Sequence, residues 1–378
     1  MKVGILTFHG SHNHGSVLQA YATQKTVEKL GYDTEIINFR MESQKMYYSL
    51  YPRGYGMRLL GQDLLMLPFH IKRRNRADKF ESFIKRMNLS GPEMKNREEL
   101  QSIVDRYDIY IAGSDQIWSN RIPELIRSNE DYTGVYFFDF ATNDKPRIAY
   151  ASSVGEITYN ELLGKQIWLE KFCSISTREQ YGVELLKRIV NKDIELVLDP
   201  TFLLNKNQWS SISGKKRLIE EPYIFLYSLH GLKHGIKWGK TLAEFGKRTG
   251  FRIVAVSPFF PITVPGIRNI IDAGPLDFLN LVKNAELVFT DSFHGTAFSI
   301  NMNKPFYSYI GKNTGDNRKL GIMKCFGLEG RALESLEDIV GITDYKLNYN
   351  EYNQLIDNSR EKSREWLRSN LRSISGIV

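Results

Sequence analysis

Short apolar runs alternate along this chain with segments of helical period. Residues 2 to 8 (KVGILTF) form one such run, followed by the turn-like GSHNHG. In SVLQAYATQKTVEKLGY the apolar positions Val17, Leu18, Tyr21, Ala22, Val27 and Leu30 recur at roughly helical spacing, and Gly31 stands where a helix C-cap is expected. DTEIINF then reads as a second strand, so the chain opens as a βαβ unit with a Gly-bearing loop between strand and helix. That loop lacks G-x-G-x-x-G, so no dinucleotide fingerprint is present.

The same grammar returns downstream. The strand Asp108 to Ala112 runs into Gly113-Ser114-Asp115-Gln116, and PRIAYASSVG repeats the pattern with Ser152 and Ser153. Carboxyl ends of strands line the ligand crevice in doubly wound sheets, so Ser114, Asp115, Ser152 and Ser153 are expected at one site. SIST leads into another helix, and IELVLDPTFLL is a buried-type strand ending at Asp199-Pro200, a pair that reads as a turn former. After polar KNQWSSISGKKRLIEEP the rhythm restarts with YIFLYSL, a helix from about Ile236 to Arg248, FRIVAVSP, LDFLNLVKNA and ELVFT. The pattern predicts an α/β protein of two Rossmann-like lobes with a cleft between them. The domains are placed at 1–210, 220–350 and a C-terminal amphipathic helix, 351–378, that crosses back onto the first lobe. No internal repeat or low-complexity tract is present beyond the βαβ rhythm.

Residues 286 to 305 carry the sharpest chemistry: ELVFT, then DSFHG, then TAFSINMNKP. A strand ends in a turn holding Ser292, His294 and Gly295, and a helix opens at once. The first N–H groups of a helix favour an anion, and a histidine beside it is a side chain able to give or take a proton during a reaction. The competing reading of His294 is a structural hydrogen-bonder at a strand end.

Composition narrows the class. A chain of 378 residues is long for one core and suits two domains; 42% hydrophobic, 25% charged and 12% aromatic content is that of a globular protein. Cys173 and Cys325 have no metal-ligand spacing and support no disulfide framework, which points to a reducing, cytoplasmic location. The polar GSHNHG that begins at residue 10 leaves no signal-peptide core, and no run reaches membrane-span length. His9, His12 and His14 share one short loop without an acidic or cysteine ligand, so no metal and no cofactor are expected. The formal charge is +8, and residues 41–90, with ten basic side chains against four acidic, contribute +6 of it. That segment interleaves cations with MYYSLY, LLMLPF and KFESFI. It reads either as helices with solvated basic faces packed on the first domain, or as a surface for anionic headgroups or a polyanionic lipid-linked substrate; nucleic acid is not the expected partner.

Taken in order, the blocks resemble the polysaccharide pyruvyl transferase family. The resemblance rests on Asn13-His14-Gly15-Ser16 with VLQAYA, AGSDQIW at 112–118, AYASSVG at 149–155, ISTRE at 175–179, LDPT at 198–201 and TDSFHGTAFSI at 290–300. It implies a fold similar to GT-B glycosyltransferases and transfer from phosphoenolpyruvate to a sugar, two of whose hydroxyls end as a cyclic pyruvate ketal. Through the matched motifs it implies His294 as the catalytic histidine, Arg178 as an anion ligand, and a phosphoenolpyruvate site on the C-terminal lobe with Ser292, Gly295 and Thr296. The DNRKLG stretch fits the family's basic segment only loosely, leaving Arg318 as a further anion ligand on weaker ground, and the insertion at 41–90 has no match.

An acid is also wanted beside the acceptor hydroxyl, and Asp115 is the best placed by sequence, its alternative being a helix N-cap or turn residue. Asn13, His14, Gly15, Gly113, Ser114, Gln116 and Ser153 are the expected acceptor-binding set, though Asn-His-Gly is also ordinary turn chemistry. The acceptor is expected to be a sugar, lipid-linked by preference. Two rivals stand: a GT-B sugar-nucleotide glycosyltransferase, disfavoured because no acid lies between Gly295 and Lys304, and a non-catalytic module that binds anionic glycan or membrane through 41–90.

Overall fold

The computed structural model of the protein describes residues 1–50, 66–122, 132, 134–141, 144–229, 232–312 and 317–376. Two compact units emerge. Unit 1 comprises Met1–Leu59, Ile84–Leu203 and Asn358–Val378; unit 2 comprises Leu60–Phe83 and Leu204–Asp357.

Unit 1 is built on a parallel sheet of β1 (Lys2–Leu6), β2 (Asp33–Ile36), β3 (Ile109–Ala112), β4 (Arg147–Ala149), β5 (Ser174–Thr177) and β6 (Ile194–Leu196), in the order β2-β1-β3-β4-β5-β6. Strand order reverses between β1 and β3, whose register pairs Leu6 with Ala112. The strands are short and mostly buried, because both faces of a parallel sheet are covered, even where β2 and β5 carry polar residues. Aromatic residues fill the space: Trp118 stacks on Phe137 with ring centroids 5.0 Å apart, and Phe172 packs edge-on to the same indole. The helix Asn350–Ser375 contributes from Asn358 onward to this unit. Leu367 and Leu371 are fully buried there, Trp366 lies 6.0 Å from the Tyr150 ring, Arg360 donates to the Phe202 carbonyl, and the Leu198 N–H donates to Ser363.

Unit 2 repeats the logic with β7 (Tyr223–Tyr227), β8 (Arg252–Val256), β9 (Ile267–Asn269), β10 (Leu287–Thr290), β11 (Phe306–Tyr309) and β12 (Ala332–Leu333), all parallel, in the order β12-β11-β10-β7-β8-β9. Here the order reverses between β7 and β10, where Thr290 pairs with Tyr227. Trp238 and Phe245 of the helix Leu232–Thr249 form the core with Phe289 and Tyr307.

Two boundaries differ from expectation. The chain enters unit 2 at Leu204, ahead of the polar stretch 205–222, because Trp209 of the helix Lys206–Ile212 packs on Phe298, centroids 5.1 Å apart. The basic insertion, expected to sit whole on the first lobe, is divided: the helix Glu42–Tyr47 belongs to unit 1, whereas His70–Ile84, up to Phe83, belongs to unit 2. Arg76 donates to the Pro258 carbonyl at 2.9 Å and Lys79 reaches Asp277 at 2.8 Å, which ties that helix to the second sheet's connections. Arg53, Arg58 and Asp63 lie outside the described residues. No helix among the described residues is long and apolar enough to cross a membrane.

Candidate functional site

In doubly wound sheets the point where strand order reverses leaves a crevice beyond the carboxyl ends of the strands, so each unit has one natural site position. In unit 1 that position collects the loops after β1 and β3. Asn13 caps the helix His14–Lys29, its Oδ1 accepting from the Gly15 N–H at 2.9 Å, and His14 and Gly15 are buried in the first turn. Gly113 follows β3 so closely packed on β1 that an added Cβ would lie 2.8 Å from the Thr7 Cβ. Asp115 then adopts φ 78°, a left-handed conformation that costs a non-glycine residue about 1 kcal/mol. It is held there by Ser153, whose N–H donates to the Asp115 carbonyl at 3.0 Å, and by its own Oδ1, which accepts from the Gln116 N–H at 2.9 Å. The other carboxylate oxygen accepts from Ser16 Oγ at 2.5 Å.

Behind Asp115 lies a buried charge cluster. The Arg178 side chain is 1% exposed; its Nη1 donates to Asp199 Oδ2 at 2.6 Å, Nη2 stands 3.7 Å from Asp115 Oδ1, and Nε stands 3.7 Å from Glu179 Oε2. Burial opposes the charged guanidinium, but Asp199, Asp115 and Glu179 outweigh it and hold Arg178 above its ordinary value. Asp199 caps the turn Pro200–Phe202, accepting from the Thr201 N–H and hydroxyl, and also accepts from Ser114 Oγ at 3.0 Å. Glu179 Oε1 gathers Ser153 Oγ at 2.7 Å and the N–H groups of Val154 and Gly155.

These contacts revise several expectations. Arg178 lies in unit 1, and the anions it holds are this chain's own carboxylates. Ser114 and Ser153, expected at the acceptor, are fully buried with hydroxyls bonded to Asp199 and Glu179, so they frame the site. Asp199 is both the turn former its Asp-Pro pair suggested and the central partner of Arg178. Glu179 and Ser16 join the cluster as well, and the sequence carries a signal for each: an acid beside Arg178 and a hydroxyl in the first turn of the helix His14–Lys29.

In unit 2 the reversal point carries the histidine turn. Ser292 is the N-cap of the helix Phe293–Asn301, its Oγ accepting from the Gly295 N–H, so His294 is the second residue of that helix. The imidazole is almost fully buried and packs edge-on to Phe293, centroids 5.2 Å apart. Thr290 Oγ1 donates to the Tyr227 carbonyl at 2.8 Å and accepts from the Ser292 N–H at 3.0 Å, stapling the turn to β7. Asp291 adds two bonds to the same strand end, from Ser228 Oγ at 2.6 Å and the Leu229 N–H at 2.7 Å. Thr296, expected as a ligand, is fully buried, its hydroxyl donating to the Ser292 carbonyl and sharing a hydrogen bond with Ser308. Gly295 and Thr296 are thus the frame of the turn. Arg318 sits half-buried in the first turn of the helix Asn317–Cys325. Its neighbour Lys319, passed over in the sequence, is buried, with Nζ donating to the carbonyls of Asp291 at 2.9 Å and Tyr309 at 2.6 Å. No cluster of metal-ligating side chains occurs among the described residues.

A family model described as polysaccharide pyruvyl transferase matches residues 13–312, a span that starts after β1, includes the β3 end of the unit 1 reversal and takes in the unit 2 reversal whole. Among curated proteins, none matches. Solved structures show the fold. S. aureus MnaA, in a co-structure with UDP, aligns with TM-score 0.57 at 10% identity over 100% of this chain and 97% of its own. UDP-N-acetylglucosamine 2-epimerase from Rickettsia bellii aligns with TM-score 0.56 at 10% identity, covering 100% and 98%. UDP-GlcNAc 2-epimerase from Neisseria meningitidis, bound to UDP-GlcNAc, aligns with TM-score 0.54 at 12% identity, covering 99% and 100%. At such identities the likeness speaks to a shared GT-B-like α/β fold with two parallel sheets.

Proposed function

Because the chain belongs to the polysaccharide pyruvyl transferase family, we propose that it moves the pyruvyl group of phosphoenolpyruvate onto a sugar of a surface polysaccharide or its lipid-linked precursor, closing a cyclic ketal and releasing phosphate. The observation that carries this reading is the placement of His294: second residue of a helix that opens at the strand-order reversal of unit 2, within the matched span. A helix N-terminus suits the carboxylate and phosphate of the donor, and the imidazole supplies a proton there.

The chemistry balances as follows. His294 gives a proton to C3 of the enol, which leaves C2 electron-poor; the first sugar oxygen bonds to C2, the bond from C2 to the phosphate oxygen breaks, and the second sugar oxygen closes the ring. Of the two hydroxyl protons released, one restores His294 and the other leaves with phosphate. In this scheme Ser292 and Arg318 serve the donor with His294, while Gly295 and Thr296 hold the turn in shape. Asp115 takes or orients the acceptor hydroxyl proton, and Asn13, His14, Gly15 and Gln116 are its companions on the acceptor side. Strain at a carboxylate poised on a strand end supports a functional role for Asp115. Arg178 acts through Asp115 and Asp199 as a positioning residue.

A sugar-nucleotide donor is the second reading, favoured by the fold shared with proteins solved with UDP and UDP-GlcNAc. Phosphate release from phosphoenolpyruvate, measured with lipid-linked and simple glycosides for the parent and for His294→Gln, separates the two. Acceptor-dependent release that falls by about a hundredfold or more in the variant supports pyruvyl transfer. Thermal stabilisation by UDP-sugars, with none by phosphoenolpyruvate and no phosphate release, overturns it.

A further inference from the structure

We propose that the outer face of the helix His70–Ile84, together with the turn that precedes it, docks on an anionic lipid bilayer. The inner face is anchored in unit 2: Phe80 and Phe83 are buried and Arg76 bonds to the Pro258 carbonyl, while exposed Lys79 pairs with Asp277 at the edge of that face. That anchoring fixes which side chains point outward. Ile71 is 73% exposed and Leu67, one turn earlier, is 49% exposed, a pair of large apolar side chains standing in water at one end of the helix. At about 100° per residue, Lys72 and Arg74 fall on either side of Ile71, and both are exposed. Lys85 and Arg86 extend the exposed positive face beyond the helix, with Asp78 exposed and Glu81 half-buried among the cations.

An apolar tip inside a collar of cations is the pattern that matches a bilayer surface, whose anionic headgroups receive the cations while the acyl boundary receives the tip. A nucleic acid would reward the cations but gain nothing from Leu67 and Ile71. Another exposed apolar residue, Ile167 of unit 1, is 67% exposed beside Gln166 and Glu170, which pair with each other. This docking is independent of the reaction, and its test needs neither donor nor acceptor.

The test is co-sedimentation of the full chain with vesicles of phosphatidylcholine alone and with about 30% phosphatidylserine, at about 0.1 M salt. Binding to the anionic vesicles only is expected. The double change Lys72→Gln and Arg74→Gln should weaken it about twenty-five-fold, at about fivefold per charge, and Leu67→Ser with Ile71→Ser about tenfold. Lys72→Arg, binding as the parent does, separates loss of charge from loss of fold. Equal binding to both vesicle types, or none, overturns the proposal. So does unchanged vesicle binding by the apolar-tip variant while the charge variant loses affinity for a short DNA duplex, which would mark the face as a nucleic-acid surface.

Discussion

Replacing Arg178 by Met is the most direct probe of unit 1, because it removes the cation from a cluster that holds three carboxylates. Taking one partner from a buried ion pair costs about 3–5 kcal/mol, since the remaining charge stays buried without compensation. Here each carboxylate keeps hydrogen-bond donors: Asp199 retains Thr201 and Ser114, Asp115 retains Ser16 and the Gln116 N–H, and Glu179 retains Ser153 with two backbone N–H groups. Those donors place the loss at the lower end, about 3 kcal/mol, or somewhat over a hundredfold in the opening equilibrium. Hydrogen exchange followed by mass spectrometry on peptides covering β3 and β5, against β10 as an internal reference, reads the two units separately. Faster exchange is expected in β3 and β5 with β10 unchanged. Adding Asp199→Asn should return about half the loss by removing one stranded charge. An Arg178→Met protein with parental exchange in β3 and β5, whose only defect is weaker phosphoenolpyruvate binding, would refute the placement of Arg178 as a positioning residue and restore it as a substrate ligand.

Two further perturbations test the frame of each site. Gly295→Ala would drive a methyl group into the Thr290 side chain, whose Cβ lies 2.9 Å from the position a Cβ would take, and so disturb the staple from Thr290 to Tyr227 and Ser292. A loss of about 1–3 kcal/mol in unit 2, seen as faster exchange in β10, is expected; parental exchange would show that the turn tolerates the methyl group. In unit 1, burial pushes Glu35 upward, but hydrogen bonds from Lys2, Tyr107 and Arg106 outweigh it and hold the carboxyl below its ordinary value. A depressed carboxylate contributes stability above its unfolded value and loses it as pH falls through the folded one, so the parent should weaken on acidification below about pH 4.5. Glu35→Gln should cost about 1–3 kcal/mol at neutral pH and flatten that acid limb, and urea midpoints that fall in parallel for both proteins would count against the assignment.

Much of this architecture is legible in local pattern. Strand, Gly- or Ser-bearing turn and helix recur because parallel sheets demand covered faces and short crossovers, and His294 stands at a strand end by the same grammar. What stays hidden is the identity of partners. The apolar spacing of Phe80 and Phe83 says that one face of their helix is buried, but the contacts that assign it to unit 2, at Pro258 and Asp277, lie about 180 and 200 residues further along the chain. Arg178 is an expected anion ligand only through the resemblance of its ISTRE motif, and which anion stands beside it depends on Asp199 and Asp115 arriving there in three dimensions. An Asp-Pro pair announces a turn and is silent on whether the carboxylate is also buried against a guanidinium. Lys319 illustrates the same limit: its charge resembles that of Arg318, and only burial tells the two apart.

The passage of the helix Asn350–Ser375 into unit 1 orders events during synthesis. Residues 358–375, which brace Leu198, Phe202 and Leu203 on either side of Asp199, leave the ribosome after the whole of unit 2. At about 5–20 residues per second, the earlier-made half of the protein waits about ten to thirty seconds, with Tyr150 and the Asp199 turn uncovered, until its last strap arrives. The unit encoded second can close first, and a chain stalled before residue 358 would carry a finished histidine turn beside an unbraced acidic cluster.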